Sequence, residues 1–430
     1  MQKTPMQKKL LKTIKYKTYK YHIMKHITIS ILMLFTFLSG ISQNYSGISK
    51  THKIGSKVFE SDREIRVFVP FSYTENSTQK YPTIYLFDGQ FDALFDMTSG
   101  TVDYMSQMGE LNEYIIIGVK TTHRPKEFTP MYTDDRTKES WGDTEIGKTN
   151  LLEDHLRDEI FPLVEKNYRV HPFRLAIGHS LGGTFVLNVL LTKPDFFQGI
   201  IAISPNVSYD YDQLVLRFDD FLKVNDTLKK FIFVSAGTVG NMENRFRKSA
   251  EKLDHVIKYH NPKELVYRFK VYDGENHSTT PLLTISKGLL EIAKIWTLSE
   301  EKKEELLNDD TKPFADDLKA FYSNLSSWAN YTVNPSINQI NTYGYDCLNA
   351  DKIKESLTVF DWAIELYPND ANLYDSKAEA LEKNNDLKQA KMYYKKALEI
   401  LENTKEDYDS ENYEYYKGIF SDHLNKIKSP

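Results

Sequence analysis

The chain has 430 residues, 40% of them hydrophobic and 13% aromatic, with a formal charge of −5 at neutral pH. That is too long for one compact domain of ordinary size, and apolar enough for a real core. Cys347 is the only cysteine, which excludes an intrachain disulfide and a cysteine-based zinc site, and neither an H-E-x-x-H nor a P-loop pattern occurs. The sequence therefore implies neither a metal nor a cofactor.

Residues 1–42 read as a targeting segment. Residues 1–26 are rich in lysine and contain no acid, and Ile27 to Ile41 is an uncharged apolar stretch too short to cross a membrane. Gly40 and Ser42 are small residues at the −3 and −1 positions of a cleavage site before Gln43. Met24 is a second start that gives a signal of ordinary length. No cysteine follows the apolar run, so no stable membrane anchor is expected, and the product is expected in the periplasm or secreted. Cleavage removes eight lysines and no acid, moving the formal charge from −5 to −13. Such a chain is a poor partner for nucleic acid or anionic lipid.

Tyr81 to Phe87 reads as a strand that leaves through Asp88-Gly89-Gln90. Gly89 lets the backbone turn, which makes the Gln90 N–H a candidate oxyanion donor. His123 lies in a later loop. Phe173 to Ile177 is a short strand, and Thr184 to Leu191 is apolar enough for a buried helix. Between them stands Gly178-His179-Ser180-Leu181-Gly182, followed by Gly183. Strand, sharp glycine-rich turn and helix are the setting in which a serine Oγ is lifted out of a sheet as a nucleophile. Ser180 is that serine. The N–H of Leu181, next in the chain, is the second oxyanion donor.

The remaining catalytic groups should follow in the order acid, then histidine, each on a loop after a later strand. Phe231 to Ser235 is a strand ended by Ala236 to Gly240, and Glu243 then opens an amphipathic helix running to about His260. Leu265 to Tyr272 is the next strand, ending in Asp273-Gly274-Glu275-Asn276-His277-Ser278. His277 is the expected base and Glu243 the carboxylate that fixes its tautomer. Glu251, Asp254 and Asp273 are alternative acids. His179 is expected to pack under the turn, and His123 precedes Ser180, which breaks the order.

Five pieces carry a family resemblance. They are Tyr85-Leu86-Phe87-Asp88-Gly89-Gln90, Arg124 through Glu127-Phe128-Thr129-Pro130, the Ser180 elbow, Ala202-Ile203-Ser204-Pro205, and Gly274-Glu275-Asn276-His277-Ser278. In this order they resemble the esterase branch of the α/β-hydrolases. That branch holds siderophore (enterobactin-type) esterases, feruloyl and acetyl-xylan esterases, the S-formylglutathione hydrolase group and the antigen-85 mycolyltransferases. The resemblance implies a mostly parallel α/β-hydrolase sheet and a serine hydrolase. It also implies an acid after the strand that follows the Ser-Pro loop, where Glu243 sits. The siderophore members carry tryptophans just after that Ser-Pro; here the run is Asn206-Val207-Ser208-Tyr209-Asp210-Tyr211.

Leu282 to Trp296 is the helix that closes the α/β fold, and charged residues 299–311 read as a solvated connector. A 34-residue period follows: Ser356, Phe360, Ala363, Ile364 and Leu366 recur as Ala390, Tyr394, Ala397, Leu398 and Ile400, and Gly344 matches Ala378. This resembles tetratricopeptide helix pairs, flanked by helices near 314–331 and 411–427. Two such units need neighbours to bury a face. The expected fold is thus an α/β-hydrolase sheet followed by a small all-α helical-repeat domain. Its parts are the targeting segment 1–42, the esterase domain 43–297, a helical connector 298–335 and helical repeats 336–430. The expected activity is cleavage of a carboxylic ester of small-molecule, carbohydrate or siderophore type through an acyl-enzyme. Acyl transfer uses the same triad, and a non-catalytic scaffold is a third class, against which Ser180, His277 and the Gln90 loop argue. The repeats either bind a protein partner or buttress the fold.

Overall fold

The computed structural model describes residues 47–75, 79–309 and 311–427. The expected targeting segment lies outside them. The described residues from Ser49 onward belong to one compact unit. That unit carries the sheet from Ser49 onward and all the described helices.

An eight-stranded sheet runs β1-β2-β4-β3-β5-β6-β7-β8. The strands are β1 (Ile48–Ser56), β2 (Ser61–Val69), β3 (Tyr81–Phe87), β4 (Ile115–Val119), β5 (Val170–His179), β6 (Gly199–Ile203), β7 (Thr227–Val239) and β8 (Lys263–Asn276). β2 is antiparallel to β4, and β4-β3-β5-β6-β7-β8 are all parallel. Strands β3, β4 and β6 are buried at every position. Their unbroken apolar runs fit a parallel sheet covered on both faces.

Alternate side chains along β3 serve the two faces. Tyr85 and Phe87 join the core under the helices Leu181–Thr192, Gln213–Val224 and Asn241–His260. Ile84 and Leu86 join the opposite core, with Phe95, Ile285, Leu289 and Trp296 from the helices Asp92–Gln107 and Thr280–Trp296. Each fully buried Ile, Leu or Phe contributes about 1.5–3 kcal/mol.

After Asn276 every regular element among the described residues is helical. Glu300–Leu307 has no fully buried residue, and only Leu306 and Leu307 at its end pack partly on the core. Phe314–Ala329 is different: Phe314, Leu318, Tyr322 and Leu325 belong to the core on the second sheet face. Trp328 packs near Phe173 at 5.9 Å and Trp296 at 6.1 Å, and Tyr331 stacks on His171 at 4.2 Å. His171 and Phe173 open β5, whereas Ser180 follows its last residue. At about 3.3 Å per residue the attachment lies on the order of 30 Å along the strand from Ser180. No sequence pattern specifies this placement. The helical region begins at the end of the sheet opposite the elbow.

Beyond it come Ile337–Asn349, Ile353–Leu366, Ala371–Lys383, Leu387–Asn403 and Ser410–Lys426. The repeated small positions are where helices touch. A Cβ on Gly344 would come within 2.4 Å of the Phe360 ring, and Ala378, Ala390 and Ala397 are fully buried.

Candidate active site

Ser180 stands between β5 and the helix Leu181–Thr192 with φ 60° and ψ −120°. A non-glycine residue there is strained, and the surroundings must hold it. They do so by close approach: a Cβ on Gly178 would lie 2.2 Å from the Gly182 carbonyl oxygen. The Ser180 N–H donates to the Ile203 carbonyl at 2.9 Å. The serine side chain is thereby presented at the carboxyl end of the sheet, as its sequence context predicts.

Glu243 lies in the first turn of the helix Asn241–His260 and is 1% exposed. Its Oε2 is 2.6 Å from His277 Nδ1. Its Oε1 accepts from the Gly237 N–H at 2.5 Å and from Ser204 Oγ at 2.7 Å. Burial alone would raise its pKa, but the bonds from His277, Gly237 and Ser204 hold it below the ordinary carboxylate value. A carboxylate only accepts, so Nδ1 of His277 carries the proton and Nε2 is left as the basic nitrogen. The three alternative acids are engaged elsewhere: Glu251 with Arg247, Asp254 with Lys258 at 2.9 Å, and Asp273 with Thr238 at 3.1 Å. His123 caps the helix Arg124–Phe128 through Nδ1.

The last two strands in the chain run further than the sequence suggests. β7 continues to Val239 and β8 to Asn276, and Val239 pairs with Asn276. The segments expected as loops are therefore mostly ladder, and His277 sits directly on a strand end.

His179 does not pack under the turn, as the sequence predicts. Instead its ring lies 4.5 Å from the His277 ring, and its Nε2–H donates to the His277 carbonyl at 2.9 Å. Burial, with His277 beside it, pushes its pKa down to about 4. An unfolded histidine titrates near 6.5, so between pH 6.5 and 4 the folded state binds fewer protons. The stability this confers is complete above pH 6.5 and is lost as pH falls towards 4. His171, also held near 4 by burial, acts in the same direction. His179→Gln keeps a donor for the carbonyl and removes one titration. Urea unfolding at pH 7 and pH 5 should show the wild type losing about 2 kcal/mol more than this variant. Equal losses would mean that His179 is not the group responsible.

Gln90 is held as firmly as the acid. The Gly89 N–H donates to Val119 at 2.9 Å, the Gln90 amide donates to Asp88 Oδ1 at 2.9 Å, and the Gln90 side-chain oxygen accepts from the Thr121 N–H at 2.9 Å. Asp88, with φ 66°, is buried and takes Arg124 through Nε at 2.7 Å and Nη2 at 2.9 Å. The buried Arg63–Glu127 pair anchors the loop after β4 that carries Arg124, since Glu127 also accepts from the N–H groups of Thr122 and His123. Among the described residues no acceptor lies on the Gln90 N–H or the Leu181 N–H. Leu181 is the first residue of its helix, where no intrahelical acceptor exists. Sequence reasoning singles out Gln90 and misses Asp88, Arg63 and the role of Arg124. The signal for the last is the Arg124 to Pro130 run.

A sequence model of the family described as "Putative esterase" matches residues 56–279. The chain belongs to this family. It is an esterase by family and an α/β-hydrolase by fold. The ferri-bacillibactin esterase BesA of Bacillus subtilis is 27% identical over 250 residues, 53% of this chain and 84% of that protein. The siderophore triacetylfusarinine C esterase of Aspergillus fumigatus is 26% identical over 174 residues, 35% of this chain and 60% of that protein. An IroE-like serine hydrolase from Shewanella oneidensis superposes with a TM-score of 0.62 at 18% identity, covering 74% of this chain and 100% of the other. An uncharacterised protein from Capnocytophaga ochracea superposes with a TM-score of 0.65 at 16% identity, covering 88% of this chain and 99% of the other. That span is too large to stop at Trp296, so the likeness of fold extends into the helical region.

Proposed function

We propose that the chain hydrolyses a carboxylic ester through an acyl-enzyme formed on Ser180. The observation that carries this reading is the 2.6 Å contact of His277 Nδ1 with a buried Glu243, on a histidine whose ring packs against the residue preceding Ser180. His277 Nε2 takes the Oγ proton as Oγ attacks the ester carbonyl, and returns it to the departing alcohol. Water then repeats the sequence on the acyl-enzyme. The N–H groups of Gln90 and Leu181 receive the oxyanion, and Glu243 stabilises the imidazolium. The chemistry calls for no cofactor.

The substrate is proposed to be a siderophore-type ester, on the strength of the relatives' names. Exposed Phe91, Met131 and Tyr211, on segments that follow strands β3, β4 and β6, give apolar surface for a bulky acyl group. The purified protein should be screened against p-nitrophenyl esters, feruloyl and acetyl sugars, and a trilactone siderophore, with Ser180→Ala as blank. Turnover of the trilactone well above the others supports the reading; turnover of feruloyl or acetyl sugars alone moves the substrate to carbohydrate esters, and turnover of none of them refutes the esterase reading.

The mature chain is proposed to be exported after cleavage before Gln43, on the basic, apolar and small-residue succession of residues 1–42. N-terminal sequencing of the natural protein should begin near Gln43. A cytoplasmic product retaining residues 24–42 contradicts it. The helical region is proposed to form a tetratricopeptide-like buttress that supplies no catalytic group.

A further inference from the structure

The helical region holds a cluster that the esterase chemistry does not use. Asp375 and Glu379 lie one turn apart on the helix Ala371–Lys383, and His423 comes from the last helix, Ser410–Lys426. One ligand atom from each lies within 4.8 Å of the others, the sole such grouping among the described residues.

The two ring nitrogens of His423 are in different situations. Nδ1 is 2.9 Å from Asp375 Oδ2, a hydrogen bond in which the nitrogen donates. The neutral ring then has its lone pair on Nε2. That lone pair faces Glu379 Oε1 at 3.6 Å, and a carboxylate oxygen has only lone pairs to offer. Two acceptors facing each other need a positive centre between them, and a cation competes for that place with a second ring proton. Ligands about 2.0–2.1 Å from a tetrahedral ion are about 3.3–3.4 Å apart, close to this gap.

The surroundings are built to match. Tyr345 Oη donates to Glu379 Oε2 at 2.5 Å, which orients the carboxylate and leaves Oε1 free. Asp375 is 4% exposed, and its Oδ1 is buried without a hydrogen-bond partner. A carboxylate on the far nitrogen of a ligating histidine is the usual support for such a ligand. Beside the cluster opens a cavity of about 480 Å³, which Glu382 and Lys426 also line, with room for water ligands. Lys383 borders it too, but its ammonium is spent on Leu348 and Asp351.

We propose that His423 Nε2 and Glu379 Oε1 bind a divalent cation, with Asp375 orienting the ring, and that the ion fastens the last helix to the repeat before it. Imidazole with carboxylate and water suits Zn²⁺. Such a clip ties together two helices whose contacting residues lie 48 positions apart in the chain. Binding to the folded chain raises its stability by mass action.

The test is calorimetric titration of Zn²⁺ into the full-length, chelator-treated protein, with thermal unfolding at several Zn²⁺ concentrations. The expected result is one Zn²⁺ per chain and a melting temperature that rises with Zn²⁺. Glu379→Gln, an isosteric change at a partly exposed site, should weaken binding about 100-fold or more, and Asp375→Asn about 10–100-fold. His423→Ala should abolish it. Circular dichroism establishes that each variant is folded, and turnover of p-nitrophenyl acetate should not change in Glu379→Gln. Absence of stoichiometric Zn²⁺ binding overturns the proposal. So does binding that survives Glu379→Gln unweakened, because the ion then sits elsewhere.

Discussion

Ser180→Ala should lower ester turnover by roughly 10³-fold or more and abolish labelling by a serine-directed fluorophosphonate. The wild type should take one label, at Ser180. The substitution isolates chemistry from folding. Alanine keeps the Cβ that the elbow already accommodates at φ 60°, so the strain is unchanged. The bonds that hold the turn are made by backbone, the Ser180 N–H to Ile203 and its carbonyl to Thr184 and Asn206. Thermal unfolding should therefore be the same in both proteins. The change removes Oγ alone, and with it the proposed covalent route. The residual rate comes from the oxyanion donors and binding. Peptide mapping that finds the label on another serine, or a variant that retains its turnover, sinks the assignment.

The elbow is legible in the sequence because every device in it is local. Gly178, Ser180 and Gly182 lie within five residues, and the strand and helix that need them are adjacent. His277 is legible for a related reason: a histidine at a strand end announces itself by position. Glu243 ranks above Glu251, Asp254 and Asp273 only by strand order and resemblance. Its distinction is tertiary, a bond to a residue 34 positions away and a hydroxyl 39 positions away. Asp88 and Arg124 are present in the matching motifs, yet their salt bridge spans 36 residues. Nothing in either segment says that it clamps Gln90. His179 is misplaced by sequence reasoning because the elbow predicts where Ser180 points, and says nothing about which later segment packs on its neighbour.

The helical region shows the same boundary. The 34-residue period is a repeated local pattern, and it marks where small residues let helices approach. The docking of Phe314–Ala329 on the sheet depends on Trp296, Phe173 and His171, which are remote in sequence. The charged run before that helix hides how much of it belongs to the hydrolase core. The Asp375–His423 pair bridges 48 residues and has no spacing rule to reveal it.

His277→Ala should cost nearly as much as loss of Ser180, since nucleophile and base act as a unit. The informative partner is Glu243→Gln. Glu243 Oε1 faces two donors, the Gly237 N–H and the Ser204 hydroxyl, and Oε2 faces His277 Nδ1. A glutamine must satisfy the backbone N–H with its carbonyl oxygen, because the amide nitrogen cannot accept. Its NH₂ is then turned towards His277. Nδ1 becomes the acceptor, the proton moves to Nε2, and the base is in the wrong tautomer. The isosteric change should accordingly lower kcat by about 10²–10⁴-fold while leaving KM within a few-fold, less than or equal to the loss in His277→Ala. The fold should survive, because shape and both hydrogen-bond contacts to Gly237 and Ser204 are kept. Glu251→Gln, Asp254→Asn and Asp273→Asn should each stay within a few-fold of wild type, since each acid is occupied by another partner. Steady-state kinetics on the five variants decides the matter. Large loss in Asp273→Asn with near-normal turnover in Glu243→Gln would remove Glu243 from the triad and transfer its role to the neighbouring strand end.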